Sequence, residues 1–325
     1  MPFFRIFVGG GQKMINTQIR LAILGYGREC SNKNAKTASI VGRTAGKMGL
    51  SLIAGNVTGT FAFAFEAARA YPINTICVIE KHKKPRDTDL ISEIFLTKDS
   101  YAKHIQISQM ADAAILIGGG AGSQQLLNHF IKNKKTVIAI EGSGGITDLP
   151  LPRQVLKAKS TTMAFKILKG IKKESYLKTD LGIVKLSFNH FALSQVKFIE
   201  ETDKKAKSLK EDFSKQLKAY FSGSQKEFIG KIFLEGSDFQ KKVWKRLLDI
   251  SYGSTLEYGD LAKQMGNKNS SGAIAYVAQQ NPIEIIIPCH RLLSKRGALS
   301  SYSGSLETKM RLLDIEKQQT ELRVF

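Results

Sequence analysis

Length, composition and charge limit the classes of protein that this chain can form. It has 325 residues, 42% of them hydrophobic, which is enough to bury one full core and to supply a second. Its formal net charge of +21 favours a polyanionic partner such as nucleic acid, with a lysine-rich solvated surface as the alternative. Residues 1–175 hold 25 of the basic and 11 of the acidic residues, so most of the surplus lies in the first half.

Cysteine usage and hydropathy argue against a secreted or a membrane-spanning protein. Cys30, Cys77 and Cys289 are far apart and form no CxxC pair, so neither a disulfide framework nor a zinc-ligand spacing is present. No apolar run reaches the roughly 20 residues of a membrane helix. The segment from Met1 to Met14 lacks the apolar core of a signal peptide. We expect a soluble cytoplasmic protein without a bound metal, with translation starting at either Met1 or Met14.

Residues 19–150 alternate short apolar runs with longer helical patterns. Five runs are typical of buried strands, namely 19–24, 50–54, 75–79, 113–117 and 136–140. Helical patterns cover 35–48 and 60–70. Continuous apolar strands separated by helices predict a Rossmann-like, doubly wound α/β domain with a parallel sheet covered on both faces.

The pattern changes twice after this domain. The lysine-rich residues 151–175 predict a basic linker or tail helix, and residues 1–18 are an amino-terminal extension. Residues 176–235 predict a small α+β subdomain with a hairpin (182–188 and 194–199) and a helix (209–221). Residues 236–325 predict a mainly helical domain with a helix-turn-helix formed by 258–265 and 271–280.

The segment around Cys289 has the residue types of a nucleophilic site. An apolar run delivers the cysteine, Pro288 precedes it, and His290 and Arg291 follow it. A thiol must become a thiolate to act as a nucleophile, and a neighbouring histidine can take its proton. The histidine needs an acidic residue to orient it, and Glu316 is the candidate. For a lone Cys-His pair, a buried and inert cysteine is the alternative.

This region resembles the O6-alkylguanine-DNA alkyltransferase family, the methylated-DNA–protein-cysteine methyltransferases, over about residues 176–318. The matching residues are Leu181-Gly182, Gln216-Leu217, Tyr220-Phe221, Gly223, Phe239-Gln240, Val243-Trp244, Leu247, Ile250, Gly253, Tyr258-Gly259, Leu261-Ala262, Asn281-Pro282, Pro288-Cys289-His290-Arg291, Gly297, Leu299, Tyr302-Ser303-Gly304, Leu306, Lys309, Leu312-Leu313 and Glu316.

The resemblance implies irreversible transfer of an alkyl group from guanine O6 in double-stranded DNA to Cys289, once per protein and without a cofactor. O4-alkylthymine stays open as a second substrate. The guanine is flipped out of the duplex while the helix-turn-helix sits in the minor groove, because O6 lies within the base stack. By resemblance, His290 is the base and acts through a water, Glu316 orients it, and Asn281 holds the turn before the active-site loop. The residues implied in DNA or base binding are Tyr258, Gly272, Arg291, Tyr302 and Ser303.

Three positions differ from the family pattern. Gly272 lies nine residues before Asn281, where the family usually has an arginine that fills the gap left by the flipped base. Ser300 and Ser305 replace glycines near the pocket. We therefore expect weaker extrusion of the target base.

Two glycine-rich turns follow apolar strands in the first domain, at 54–60 and 118–123. A glycine turn leading into a helix presents backbone N–H groups and the positive end of the helix dipole to a phosphate. Two such turns above one parallel sheet favour a nucleotide site, with tight strand–helix joints as the alternative. The predicted binding residues are Gly55, Thr58, Gly59, Gly119, Gly120, Gly122 and Ser123.

These turns are similar to those of the LOG-related, lysine-decarboxylase-like Rossmann family, over about residues 19–147. Members of that family bind nucleotides, and some cleave them with the glutamate of a PGGxGTxxE motif. Leu126 stands at the position of that glutamate, and Gly118 at that of the proline. The resemblance therefore implies that this domain binds a phosphate-bearing small molecule without hydrolysing it.

Three functional hypotheses remain. The first is a self-inactivating alkyltransferase with an accessory nucleotide-binding domain. The second is a lesion-recognition protein that binds alkylguanine with weak transfer, which Gly272 would permit. The third makes the first domain the active half, as a nucleotide hydrolase or sensor, and Leu126 disfavours hydrolysis. Cys289, His290 and Glu316 favour the first hypothesis.

Overall fold

The computed structural model describes residues 15–85, 87–199, 212–298 and 302–321. Predictions for residues 1–14, for 209–211 of the expected helix, and for Leu299 and Ser300 lie outside the described residues. The chain divides into two compact units. Of the described residues, the amino-terminal unit comprises those within 18–170 and 189–191, and the carboxyl-terminal unit those within 15–17, 171–188 and 192–321.

Strand β1 (Ile15–Asn16) belongs to the carboxyl-terminal unit. The elements of the amino-terminal unit are β2 (Arg20–Gly25), α1 (Asn32–Met48), β3 (Ser51–Ala54), α2 (Thr60–Ala68), β4 (Thr75–Glu80), β5 (Glu93–Thr97), α3 (Ser100–Met110), β6 (Ala113–Ile117), α4 (Ala121–Lys132), β7 (Thr136–Ile140), β8 (Leu156–Ala158) and α5 (Thr161–Lys169). The sheet is parallel throughout, in the order β5-β4-β3-β2-β6-β7-β8.

The predicted doubly wound α/β fold is confirmed. The five predicted strands form the middle of the sheet, because side chains buried on both faces leave a continuous apolar run in the sequence. The two edge strands, β5 and β8, were not predicted. β5 alternates in exposure and β8 has only three residues, so neither gives an apolar run. β8 and α5 lie within the segment 151–175 that was expected to be a linker or tail helix.

Helices α1 and α2 pack closely on one face of the sheet. Helix α1 begins at Asn32, earlier than predicted, because the Ser31 side chain accepts a hydrogen bond from the backbone N–H of Asn34. It ends at Gly49, which has the left-handed conformation of a carboxyl-terminal cap. Gly42 lies where α1 meets α2, and a Cβ there would come within 2.0 Å of the Ala64 carbonyl oxygen.

The carboxyl-terminal unit combines a small sheet with a helical domain. Its elements are β9 (Lys173–Thr179), β10 (Gly182–Phe188), β11 (Leu193–Ile199), α6 (Asp212–Phe221), β12 (Gly230–Lys231), α7 (Asp238–Leu247), β13 (Leu256–Glu257), α8 (Tyr258–Gln264), α9 (Ser271–Gln279), β14 (Leu292–Leu293) and α10 (Leu306–Glu321). The order β11-β10-β9 is antiparallel. The two strands of the predicted hairpin are β10 and β11, and β9 adds a third strand to their sheet.

One apolar core joins these elements. It contains side chains from the small sheet, from α6 and α7, from α8 and α9, and from the run before Cys289. Helix α7 starts with a capping box in which Ser237 and Gln240 exchange hydrogen bonds. The buried Trp244 of α7 donates a hydrogen bond from Nε1 to the Val277 carbonyl of α9, at 3.0 Å. No helix among the described residues is long and apolar enough to cross a bilayer.

Candidate active site

Strand β11 anchors the segment that leads to Cys289. Ile283 forms a parallel bridge with Val196. The Val196 N–H donates to the Pro282 carbonyl at 2.9 Å, and the Glu284 N–H donates to the Val196 carbonyl at 3.0 Å. The small subdomain therefore fixes the start of the active-site loop.

The loop then makes a tight turn around Ile285. This residue has φ 70°, and the Ile286 N–H donates to the Glu284 carbonyl at 2.8 Å, which closes a γ-turn. A β-branched residue in the left-handed region is strained and persists only where the surroundings enforce it. Here Ile285, Ile286 and Ile287 are all buried, so their apolar contacts hold the turn.

Cys289 is a buried thiol with polar neighbours on both sides. The Asn281 Nδ2 lies 3.0 Å from Sγ, and the Ser303 hydroxyl lies 3.7 Å from it. Burial raises the pKa of the Cys289 thiol to about 11, although the hydrogen bonds from Asn281 and Ser303 act in the opposite direction. Asn281 also donates to the Ile287 carbonyl at 2.8 Å and accepts from the Ile283 N–H at 3.0 Å. The side chain predicted to hold the turn therefore contacts the sulfur as well.

Glu316 on α10 is the centre of a buried hydrogen-bond network. Its Oε1 lies 2.8 Å from His290 Nε2, and the guanidinium of Arg291 binds both carboxylate oxygens, at 2.8 and 2.9 Å. Tyr220 Oη donates to it at 2.7 Å and the Gly253 N–H at 3.0 Å. Burial alone would raise the pKa of Glu316. The hydrogen bonds from His290 and Arg291, together with the positive charge of Arg291, outweigh it and hold that pKa well below its usual range.

These contacts define the tautomer of His290. An ionised carboxylate only accepts hydrogen bonds, so Nε2 must carry the proton that points at Glu316. Burial lowers the pKa of His290, although Glu316 opposes this, so the ring is neutral near pH 7. Nδ1 is then a basic nitrogen, and it is buried without a hydrogen-bond partner among the described residues. The pair has the arrangement of a general base oriented by a carboxylate.

The remaining predicted residues of this unit have different surroundings. Arg291 is buried, and its Nη1 donates to the Ile250 carbonyl at 2.6 Å. The Tyr302 hydroxyl is buried without a partner among the described residues, and its ring meets His290 edge-on. Tyr258 is buried at the start of α8. Gly272 is exposed near the start of α9.

Sequence reasoning assigned no role to two buried charged residues of the site. Lys309 donates from Nζ to the Leu292 carbonyl at 2.6 Å. Its burial lowers the pKa to about 8, although Cys289 opposes this shift. Glu284 is buried, with Lys197 Nζ 3.3 Å from Oε1. The spacing of Lys309, Leu312 and Glu316 on one face of α10 is a signal that could have revealed the buried lysine.

The amino-terminal unit has a cavity of about 1430 Å³ where its strands β2, β3, β4 and β6 end. Neighbouring strands β2 and β6 connect to opposite halves of the sheet, which makes this a topological switch point, the usual position of ligands in doubly wound folds. Of the predicted nucleotide-binding residues, the lining includes Gly55, Thr58, Gly120, Gly122 and Ser123. Sequence reasoning missed a third turn, Gly25-Tyr26-Gly27, which begins at the last residue of β2 and also lines the cavity.

The glycine turn before α4 leaves the amino terminus of that helix open. In α2, by contrast, the Thr60 N–H donates to the Tyr26 carbonyl at 3.0 Å and the Phe61 N–H to the Thr58 carbonyl at 3.3 Å. Helices α2 and α4 begin after Gly59 and Gly120 and have no side-chain cap. Gly59 and Gly119 have φ values of 55° and 100°. A Cβ on Gly120 or on Gly122 would meet no atom within 4 Å. The hydroxyls of Thr58 and Ser123 donate to the carbonyls of Gly27 and Gly25, so they tie the turns to the end of β2.

Basic side chains outnumber acidic ones, four to two, among the charged residues that line this cavity. Its charged members are Arg28, Glu29, Glu80, Lys83, Lys84 and Lys103. Glu80 is buried, and its Oε1 lies 2.6 Å from Lys103 Nζ. Burial would raise the pKa of Glu80, but Lys103 and Lys83 outweigh it and lower that pKa to about 2. No group of three or more metal-ligating side chains occurs among the described residues.

Comparisons with known proteins match both units. Residues 238–318 match the family model described as the 6-O-methylguanine DNA methyltransferase DNA-binding domain, and residues 18–172 match the SLOG cluster4 family. The methylated-DNA–protein-cysteine methyltransferase of Methanosarcina acetivorans is 46% identical over 103 residues, 32% of this chain and 66% of the relative. That of Methanosarcina barkeri is 34% identical over 149 residues, 43% of this chain and 94% of the relative.

A crystal structure of the O6-methylguanine methyltransferase of Mycobacterium tuberculosis is 35% identical, covers 45% of this chain and 93% of its own, and has a TM-score of 0.41. The aligned segment spans about two thirds of the length of the first of these curated relatives. With 94% of the Methanosarcina barkeri relative covered, the chain belongs to the methylated-DNA–protein-cysteine methyltransferase family. Both family assignments made from the sequence are confirmed.

Proposed function

We propose that this protein repairs DNA by transferring the alkyl group of O6-alkylguanine to the Sγ of Cys289, in a single turnover. The observation that supports this proposal most directly is the arrangement of the site. Asn281 and Ser303 contact the sulfur of Cys289, and Glu316 orients the neighbouring His290. Family membership supports the reaction class. The partner we propose is double-stranded DNA that contains the lesion.

The chemistry balances without a cofactor. The thiol proton passes through a water to His290 Nδ1, and the thiolate attacks the alkyl carbon. A C–S bond forms while the C–O6 bond breaks, and its electron pair returns to the guanine, which takes up one proton. The product thioether has no leaving group that water could displace at an appreciable rate, so each molecule acts once. Asn281 and Ser303 donate to the developing thiolate and partly offset its burial.

The direct test mixes the protein with a stoichiometric duplex that contains O6-methylguanine. We expect intact mass spectrometry to show one added methyl group, and peptide mapping to place it on Cys289. Cys289→Ala should lose transfer and still bind the lesion. Methyl groups on Cys30 or Cys77 would refute the assignment, and binding without transfer would support the lesion-recognition hypothesis.

We further propose that the amino-terminal unit binds a phosphate-bearing small molecule and does not hydrolyse it. The supporting observation is the cavity at the switch point, with the amino terminus of α4, which has no side-chain cap, and the basic side chains of Arg28 and Lys84 in its lining. Lys83 and Lys103 also line the cavity, where they form ion pairs with Glu80. These groups suit an anion. Leu126 also lines the cavity, at the position where hydrolytic LOG-related proteins have a glutamate.

We expect a mononucleotide or dinucleotide from a panel such as AMP, ADP, GTP and NAD to stabilise this unit in the full-length chain. At 100 times its dissociation constant a ligand adds about 2.7 kcal/mol to the free energy of unfolding. Calorimetry measures the shift, and hydrogen exchange at residues 118–126 assigns it to the cavity. Gly120→Asp should abolish the shift, and Gly120→Ala, which has room for its Cβ, should preserve it. If only duplex DNA stabilises this unit, and high salt abolishes the effect, the unit binds the DNA backbone instead of a small molecule.

A further inference from the structure

Helix α9 of the helix-turn-helix has one buried and one exposed face. Ile274, Val277 and Ala278 are buried in the core of the carboxyl-terminal unit. The exposed positions are Gly272, Ala273, Tyr276, Gln279 and Gln280. Successive residues of an α-helix are about 100° apart, which places Tyr276 at the centre of this exposed face.

Tyr276 is the large side chain of that face. It is 63% exposed, although an aromatic ring of its size normally gains stability by burial. Its neighbours on this face are a glycine, an alanine and two glutamines, so the ring projects beyond the short side chains around it. Gly272 lies one turn earlier on the same face, about 6 Å along the axis. Its missing side chain leaves open space, because a Cβ there would meet no atom within 4 Å.

A reaction at guanine O6 in a duplex requires the target base to leave the base stack. When a base leaves the stack, its neighbours lose their stacking partner, and an inserted side chain can take its place. Stacking of an aromatic side chain on a base stabilises the inserted position and tolerates any base, because every base has a flat π-face. On the exposed face of α9, the ring of Tyr276 is the group with a flat apolar surface, since Gly272 and Ala273 are too short and glutamine side chains are flexible and polar.

We infer that Tyr276 enters the gap left by the extruded guanine and stacks on the neighbouring base, so that it positions the lesion outside the duplex. The inference rests on the proposed repair of O6-alkylguanine. Three observations support the inference, namely the exposure of Tyr276, its central position on α9, and the open space at Gly272. In this role Tyr276 changes the conformation of the DNA, and the chemical step at Cys289 is the same with or without the tyrosine ring.

Single-turnover transfer from duplex and from single-stranded O6-methylguanine oligonucleotides tests this role. Tyr276→Ala should slow repair of the duplex about tenfold and change repair of the single strand less than twofold, because little stacking must be broken there. Tyr276→Phe should keep the wild-type rate. Gly272→Arg in the Tyr276→Ala background should restore much of the duplex rate. Tyr101, 64% exposed in the amino-terminal unit, provides the control, and Tyr101→Ala should leave both rates unchanged.

A second readout separates this inference from the proposed function. In the Cys289→Ala background, 2-aminopurine beside the lesion should fluoresce more brightly with Tyr276→Ala than with Tyr276 present, since the ring no longer quenches it. Equal duplex rates and equal fluorescence with and without the ring would overturn the inference. If the wild-type protein transfers no methyl group, the proposed function fails, and the fluorescence still decides whether Tyr276 stacks in the gap.

Discussion

The thiol of Cys289 illustrates how burial and hydrogen bonding oppose each other at one residue. With a pKa of about 11, it is almost entirely protonated at neutral pH. A free thiolate therefore cannot be the resting form, and the reaction needs a base. His290 fits this task because its own pKa is lowered and Glu316 holds the proton on Nε2, which leaves Nδ1 basic.

We expect the reaction of Cys289 with iodoacetamide in the DNA-free protein to rise about tenfold per pH unit from pH 7 to 9. Below its pKa the thiolate fraction grows tenfold with each unit, and the thiolate is the reactive form. Mass spectrometry of the peptide that contains Cys289 follows the rate. A plateau below pH 9 would show that the thiol is more acidic than its burial indicates.

At the scale of elements, the close packing of α1 on α2 depends on a missing side chain. The Cβ of an alanine at position 42 would lie 2.0 Å from the Ala64 carbonyl oxygen, so the two helices would have to separate. Because the obstacle is backbone, a rotamer change cannot relieve it.

We therefore expect Gly42→Ala to lower the free energy of unfolding of the amino-terminal unit by about 1–3 kcal/mol, the usual effect of overpacking. Calorimetry, with hydrogen exchange of residues 32–48, measures the change. Gly27→Ala is the matched control, because its Cβ would lie 3.8 Å from Phe61, an ordinary contact. Equal stability of the two variants would show that α1 and α2 can move apart freely.

At the scale of the whole molecule, each unit has its own core, and the buried charge network belongs to the carboxyl-terminal one. Glu316 joins α6, α10, the turn at Gly253 and the Cys289–Arg291 turn of that unit. The folded-state pKa of Glu316 lies below its unfolded value of about 4.3. Its stabilising contribution is therefore fully present above that unfolded pKa and is lost as the pH falls through the range below it.

We expect the carboxyl-terminal unit of the wild-type protein to lose melting temperature between pH 5 and pH 3, and Glu316→Gln to be less stable at pH 7 and to change less over this range. Trp244, the single tryptophan of the chain, lies in this unit, so its fluorescence reports the transition. Glu307→Gln, which removes an exposed carboxylate from the same helix, should follow the wild type. Parallel pH profiles for wild type and Glu316→Gln would contradict this account.

Most of the central elements were predictable, since the evidence for them is local in the sequence. The buried parallel strands appear as continuous apolar runs, and the predicted bounds of α8 and α9 agree with the structure within one residue. The edge strands and β9 were not predictable in this way. β5, β8 and β9 each pair with one neighbouring strand only, and β9 contains two lysines. Their sequences therefore lack the long apolar run of a central strand, and pairing with the neighbouring strand is what makes them strands.

The sequence by itself determined the two fold classes, the family, and the placing of Cys289 beside a histidine, because short motifs and residue spacing carry these properties. Only the tertiary structure decided which groups meet. Tyr220, Gly253 and the adjacent His290 and Arg291 converge on Glu316 from three places in the sequence. Their contacts arise from packing of distant segments around one buried carboxylate, which ionises only because its hydrogen-bond donors surround it.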